Sequence, residues 1–211
     1  MKYKCLIFDC DGVLVDSEGI TAKVLVQMAH EMGLALDLEF VLHHFTGRSL
    51  NAIMAHLNTL SQGKLPLSFE AEYRRKTFEA FRTELRPIAG VHDILKQLKL
   101  PFCTASSGPP NKIRHNLTVT GLIDFFGENI FSCYEIQVWK PRPDIFLHAA
   151  KTMGFLPQEC AVIEDSTVGV EAALAGGFDV FVYDKDGNAP KLDSPRARVF
   201  TAMEQLKELF C

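Results

Sequence analysis

The chain has no apolar run near the ~20 residues that cross a bilayer, no surplus of basic residues, no Cys-x-x-Cys pair and no His-Glu-x-x-His. Each absence removes a class of function. The first argues against a membrane partner. With 22 Lys and Arg against 26 Asp and Glu, a formal charge of −4 and a pI near 6.0, the chain lacks the electrostatic footprint of a nucleic-acid binder. Its six cysteines (Cys5, Cys10, Cys103, Cys133, Cys160 and Cys211) are scattered, several inside apolar runs. Without paired spacing they give little support to zinc or thioredoxin-like redox chemistry. Reduced thiols acting as small core hydrophobes in a cytosolic protein fit better. His43-His44 falls in a helical, partly apolar segment and reads as packing or surface. There is no internal repeat, no low-complexity tract and no signal-peptide layout, since the N-terminus enters a strand pattern almost at once; a cytoplasmic location is expected.

What is present is an apolar run that stops at acids: Leu6-Ile7-Phe8-Asp9-Cys10-Asp11-Gly12-Val13. In an extended strand Asp9 and Asp11 would share a face. Two like charges so close are costly unless a cation, a transferable proton or a phosphate group uses them. Asp-x-Asp-Gly also occurs in turns and calcium loops, but the preceding Leu-Ile-Phe favours a buried strand whose end delivers both acids to a cleft. At 211 residues and 47% hydrophobic, the chain can bury a large core, alone or with a smaller partner unit.

Apolar runs at 5–8, 101–104, 160–163 and 178–183 predict buried parallel strands. Helical patterns at 109–119, 144–153 and 167–175 fall between the later ones. Strands alternating with helices predict an α/β fold, a doubly wound, mainly parallel Rossmann-like sheet. Ligands of such sheets sit beyond the carboxyl ends of strands. Asp9 stands at one such end, and Ser106 and Asp165 follow two others. Between the first and second strands lies a helical block, 17–32, 38–45, 50–60 and 69–85, punctuated by glycines. Ile20, Val24, Met28 and Met32 give the first of these helices an apolar stripe, with Ser17 as its N-cap. The expected organisation is therefore a core of residues 1–15 and 86–211 with an all-helical insert, 16–85, that looks like a cap domain over the strand edge.

Four segments now stand in order: Asp9-Cys10-Asp11-Gly12-Val13, Thr104-Ala105-Ser106-Ser107-Gly108, Lys140-Pro141-Arg142-Pro143-Asp144 and Ile163-Glu164-Asp165-Ser166. Together they resemble the haloacid-dehalogenase superfamily, in the helical-cap subgroup of β-phosphoglucomutase-like enzymes and sugar phosphatases. The resemblance covers essentially the whole chain. It implies a phosphoric monoester hydrolase in which Asp9 attacks phosphorus to form an aspartyl-phosphate. Asp11 then serves as acid for the departing oxygen and as base for the hydrolytic water. It also implies Mg²⁺, held by the Asp9 carboxylate, the Asp11 backbone carbonyl and the Asp165 carboxylate, with Glu164 acting beside the metal through water or by orienting a ligand. Ser106 and Lys140 complete the site: the hydroxyl holds phosphoryl oxygens, and the ammonium steadies Asp9 and the same oxygens. Read alone, Ser106 could be a helix cap, Lys140 an exposed lysine and Glu164-Asp165 a cap for the helix starting near Thr167.

Two positions depart from the family pattern. Trp139 stands where glycine usually precedes the lysine, and Arg142 replaces a small or apolar residue between the prolines. Trp139 either packs the loop or borders the substrate. Arg48, in the insert's Thr46-Gly47-Arg48-Ser49, could grip a second anionic group through a forked hydrogen bond, or simply face solvent. Ser107 is a further candidate substrate contact. Arg74, Arg75 and Lys76 read as a solvated helix face. The stretches 106–112, 131–137 and 139–141 resemble bacterial phosphatases of 6-phosphogluconate and related sugar phosphates. They imply a small phosphorylated metabolite as partner; a monomer is expected rather than an obligate oligomer. The enzymatic alternative is phosphoryl transfer of the β-phosphoglucomutase type, disfavoured because Gly47 leads directly to Arg48 without the mutase's longer loop. A more remote alternative is a receiver-like phosphoaspartate signalling domain, disfavoured by motif order and the helical insert.

Overall fold

A computed structural model describes residues 2–45, 49–185, 187 and 194–210. The chain divides into two compact units, one of Met1–Val15 with Arg86–Cys211 and one of Asp16–Leu85. In the first unit the buried apolar runs become strands β1 (Cys5–Phe8), β2 (Phe102–Ser106), β3 (Ile130–Ser132), β4 (Cys160–Glu164), β5 (Asp179–Tyr183) and β6 (Ala197–Phe200). They form one parallel sheet in the order β3-β2-β1-β4-β5-β6. The chain leaves β1 to build β2 and β3 on one side, then crosses over to build β4 on the other. Such a reversal of strand order opens a crevice at the carboxyl ends of the strands. Phe8 is level with Thr104 on one side and Ile163 on the other. The residues that follow each of these therefore emerge at a single edge.

Helices α1 (Glu18–Glu31), α2 (Leu38–Phe45), α3 (Leu50–Leu60) and α4 (Phe69–Glu84) make the second unit. The first unit contains α5 (Val91–Gln97), α6 (Pro110–Val119), α7 (Ile123–Phe126), α8 (Cys133–Ile136), α9 (Asp144–Met153), α10 (Thr167–Ala175) and α11 (Gln205–Phe210). This is the doubly wound α/β architecture expected. The central strands alternate between two chemically different faces. One carries the small side chains of Cys5, Cys103, Ala105 and Cys160, with Ile7 and Val162 beside them, against Ala149 and Ala150 of α9 and Ala172 and Ala173 of α10. Small residues on both sides let helix and sheet backbones approach closely. The other face is aromatic: Phe8, Phe102 and Phe126 meet edge to face with centroids 5.3 to 6.5 Å apart. Cys5, Cys103 and Cys160 lie on adjacent strands. Contact with Cys103, with burial adding, pushes the Cys5 thiol up to about 12, which keeps it a protonated core group.

Two strands lie outside the sequence expectation. β3 is three residues long, and in β6 only Phe200 is buried. Both are edge strands, too short or too exposed for periodicity to register. β2 and β4 also run past the apolar residues, to Ser106 and Glu164, because the backbone ladder continues through polar residues that are themselves buried. In the second unit α1 buries Ile20 and Met28 of the expected series, together with Ala22, Leu25 and Ala29, while Val24 and Met32 are partly buried against the cluster. The buried face is thus broader than the four-residue series expected. Ser17 stands at the cap position, but its backbone is helical (φ −95°, ψ −20°) and its hydroxyl makes no cap bond. An N-cap hydroxyl needs an extended backbone to reach the exposed N–H groups. Arg74, Arg75 and Lys76 pair with Glu70, Glu72, Glu79 and Glu31 within the unit. No helix among the described residues is long and apolar enough to cross a membrane.

Thr104, on the aromatic face of β2, is fully buried and its hydroxyl has no hydrogen-bond partner among the described residues. A buried, unsatisfied hydroxyl costs about 1–3 kcal/mol. Thr104→Val keeps the shape and removes that cost. The variant should unfold at higher urea concentration than the parent, with a gain of about 1 kcal/mol; a loss of stability would show the hydroxyl to be satisfied.

Candidate active site

β1 delivers Asp9 to the carboxyl edge of the sheet. The Asp9 N–H still donates to the Ile163 carbonyl at 2.9 Å, extending the ladder one residue past Phe8. The chain then folds on itself: the Cys10 carbonyl accepts from Leu14 and Val15, and Gly12 donates to Val15. Gly12 has φ +82°, a conformation that costs other residues a backbone penalty. Asp9 and Asp11 therefore do not share one face of a strand, as their spacing alone suggests. Asp11 leaves the strand in the turn that Gly12 permits. A Cβ on Gly12 would lie 2.0 Å from Asp165 Oδ2, so the missing side chain is what lets Asp165 come up to the acidic loop.

Lys140 joins the acids. Its Nζ donates to Asp9 Oδ1 and to Glu164 Oε1, each at 2.6 Å, with its side chain 3% exposed. It also sits 4.7 Å from the ring centroid of Phe146 on α9, a favourable place for a cation. Burial opposes the Lys140 charge, but the two carboxylates outweigh it and hold its pKa above the usual lysine value. Burial pushes the Asp9 carboxyl up to about 7, with Glu164 and Asp11 adding to the rise and Lys140 opposing it. Cys10, between the two acids, is fully buried, and burial raises its thiol well above the ordinary range. It offers no competing thiolate.

Glu164 is completely buried. Its Oε1 takes Lys140, and its Oε2 accepts from the N–H groups of Asp165 and Ser166 and from the Ser166 hydroxyl. Both oxygens are thus engaged, Oε1 with Lys140 and Oε2 with the backbone that carries Asp165. The helix cap of α10 is Ser166, accepting from the Gly169 N–H at 3.2 Å. Ser106 is buried and does not cap α6, which starts after Pro109; its Oγ accepts from the Gly108 N–H at 3.1 Å. Ser107 is exposed, with its Oγ 4.0 Å from the Cys133 sulfur. Asp11 is held by α6, Lys112 Nζ donating to its Oδ2 at 2.6 Å and Asn116 Nδ2 to its Oδ1 at 3.3 Å.

Four carboxylates, Asp9, Asp11, Glu164 and Asp165, thus come to one strand edge with two ammonium groups, Lys112 and Lys140. Within this set the acids outnumber the ammonium groups by two. The donors are all oxygen, and an excess of charge on oxygen donors suits a hard divalent cation such as Mg²⁺. Although among the described residues no three His, Cys, Asp or Glu side chains form a ready cage, the residues present fit the ion.

Trp139 lies edge to face on Tyr134 with centroids 5.4 Å apart, and Arg142 pairs with Asp144 at the surface. Arg48 lies outside the described residues. Sequence reasoning missed Lys112, Asn116, Ser132 and Gly169. Lys112 and Asn116 were legible as a four-residue spacing on a helix that begins beside Ser106. The Ser132…Glu135 capping box carries its own signature, and the Ser132 hydroxyl donates to the Gly108 carbonyl at 2.6 Å, bracing the loop after Ser106. Nothing in the sequence marks Gly169.

The family model for haloacid dehalogenase-like hydrolases matches residues 3–177. A 6-phosphogluconate phosphatase of Escherichia coli (strain K12) is 35% identical over 99% of this chain and 95% of its own length. Hexitol phosphatase A of the same organism is 30% identical over 92% of this chain and 88% of its own. A crystal structure of a HAD family hydrolase from Deinococcus radiodurans R1, with bound phosphate and sodium, superposes with a TM-score of 0.80 at 32% identity, covering 99% of this chain and 95% of that one.

A Cβ on Gly169 would lie 1.7 Å from Glu164 Oε1, and Glu164 is pinned on both oxygens. Gly169→Ala should therefore lower the unfolding free energy by about 1–3 kcal/mol, although alanine is the better helix former. Chemical denaturation checks this. A more stable variant would mean that Glu164 is free to move.

Proposed function

The chain belongs to the haloacid dehalogenase-like hydrolases and is a phosphatase; from that premise we propose that it hydrolyses small sugar or sugar-acid phosphates, 6-phosphogluconate among them, with Mg²⁺ and through an aspartyl-phosphate on Asp9. The observation that carries this reading is the buried Lys140 ammonium, 2.6 Å from Asp9 Oδ1 at the strand edge where Ser106, Asp11 and Asp165 also lie. It holds the Asp9 carboxyl in place and favours its anionic form against the burial that opposes it, which is what an attacking carboxylate needs.

In this chemistry Asp9 Oδ attacks phosphorus and the bond to the leaving oxygen breaks. Asp11 gives that oxygen its proton. Phosphoryl transfer depends on in-line positioning and on neutralising charge spread over the phosphoryl oxygens. An ammonium has three N–H groups; Lys140 spends two on Asp9 and Glu164, and the third serves a phosphoryl oxygen. The Ser106 hydroxyl and Ser107 hold the others. Asp11, now ionised, takes a proton from water as that water attacks the aspartyl-phosphate and frees phosphate and Asp9. The Asp9 and Asp165 carboxylates and the Asp11 carbonyl would hold Mg²⁺, which when bound would supply positive charge to offset that of the phosphoryl oxygens and the acids.

The substrate class rests on the relatives, whose names specify 6-phosphogluconate and hexitol phosphates. A cytoplasmic, monomeric enzyme without nucleic-acid or membrane partners completes the proposal, supported by five buried cysteines that are all free. Family membership replaces the receiver-like alternative. Transfer to a second sugar has no observation of its own in its favour.

Asp9→Asn should lower phosphate release from 6-phosphogluconate by more than about 10³-fold, and EDTA should abolish the parent's activity until Mg²⁺ is restored. A fully active Asp9→Asn protein would overturn the nucleophile. Conversion of β-glucose 1-phosphate to glucose 6-phosphate with little phosphate released would assign a mutase instead.

A further inference from the structure

Every proton movement above is assigned to Asp11, yet Asp11 sits in a turn, on no strand or helix. Something else has to aim it. Among the side chains that reach it are Lys112 and Asn116, one helical turn apart on the same face of α6. They grip different carboxylate oxygens, Nζ on Oδ2 at 2.6 Å and Nδ2 on Oδ1 at 3.3 Å. A carboxylate held at both oxygens from one rigid element cannot turn about its own axis without breaking one of the two bonds.

Asn116 supplies an independent observation. It is fully buried, and its own carbonyl Oδ1 has no hydrogen-bond partner among the described residues. With Asp11 ionised, turning the amide over would set that oxygen against the carboxylate, so the orientation seen is the one an ionised Asp11 imposes before it takes up the proton it delivers. A leucine of similar size would leave no orphaned oxygen at this position. The amide is therefore poorly explained by packing and well explained by its bond to Asp11. Helix α6 begins directly after the Ser106–Gly108 loop. One element thus sets both the loop beside the phosphoryl group and the angle of the acid beside the leaving oxygen.

We propose that Lys112 and Asn116 are positioning residues for Asp11, a two-point clamp that aims its carboxyl at the leaving oxygen. The inference rests on the hydrolytic role proposed for Asp11. Orientation of the acid matters only where the departing oxygen needs a proton. A sugar alkoxide is a poor leaving group and does; p-nitrophenolate leaves without one. Because kcat/KM reports steps only through departure of the first product, the later use of Asp11 as base does not enter it.

The test is kcat/KM of Lys112→Met, Lys112→Arg and Asn116→Leu for a neutral sugar phosphate, for 6-phosphogluconate and for p-nitrophenyl phosphate, alongside thermal unfolding. Lys112→Met and Asn116→Leu should lose about 10- to 100-fold on both sugar substrates, part of the 10²–10⁴ that a positioned proton donor supplies. They should lose less than about 3-fold on p-nitrophenyl phosphate, where that donor is not needed. Lys112→Arg should recover most of the loss, and Asn116→Leu should melt no lower than the parent. Equal losses on all three substrates, or no loss on any, would overturn the clamp. So would a loss confined to 6-phosphogluconate, which would assign Lys112 to the substrate's second anion. If Asp9→Asn retains activity, the hydrolytic reading itself fails; if it is inactive while the leaving-group dependence is absent, only the clamp fails.

Discussion

The site depends on one buried ammonium shared by two carboxylates. Lys140 reaches Asp9 after β1 and Glu164 at the end of β4, all three side chains almost without solvent. Removing such charges from water costs several kcal/mol per ion, and their mutual attraction repays this only when geometry and further hydrogen bonds are good. Here the surroundings supply both. Glu164 is satisfied on its other oxygen by three donors, and Lys140 is backed by the ring of Phe146. The arrangement is therefore a unit, and withdrawing one member leaves the others buried and unpaired.

That unit explains the division of labour among four acids in one small region. Burial separates them: Glu164 is sealed and fully bonded, Asp9 is buried but bonded to Lys140, and Asp11 and Asp165 are half-buried. Under the proposed chemistry, the sealed acid orients, the buried one attacks and the half-open ones handle the proton and the metal. Two glycines make the crowding possible. Gly12 clears room for Asp165, and Gly169 clears room for Glu164. The sheet does the rest, because its reversal of strand order brings the ends of β1, β2 and β4 side by side.

The central sheet was legible because parallel strands covered on both faces must be continuously apolar, as in Cys5–Phe8 and Cys160–Ile163. The edge strands were not, because β6 buries one residue and β3 is too short to show a period. The acids, the serine and the lysine could be named from four short motifs. Their contacts could not. That Glu164 spends both oxygens on the protein, that Ser106 turns back on Gly108, and that Lys112 and Asn116 hold Asp11 all depend on which elements become neighbours. Residues 112 and 11 are distant in sequence and meet only once α6 is placed beside the turn at Gly12.

The central claim, that Lys140 and the acids form one energetic unit, is tested by a double-mutant cycle. Lys140→Met, Glu164→Gln and the double variant would be compared with the parent in urea unfolding. Lys140→Met alone should cost about 3–5 kcal/mol, the usual penalty for stranding a buried charge. The coupling between the two substitutions should be at least about 1.5 kcal/mol, because the stranded partner is neutralised in the double variant. Costs that add to within about 0.5 kcal/mol would show the two side chains to be energetically independent and would contradict the account.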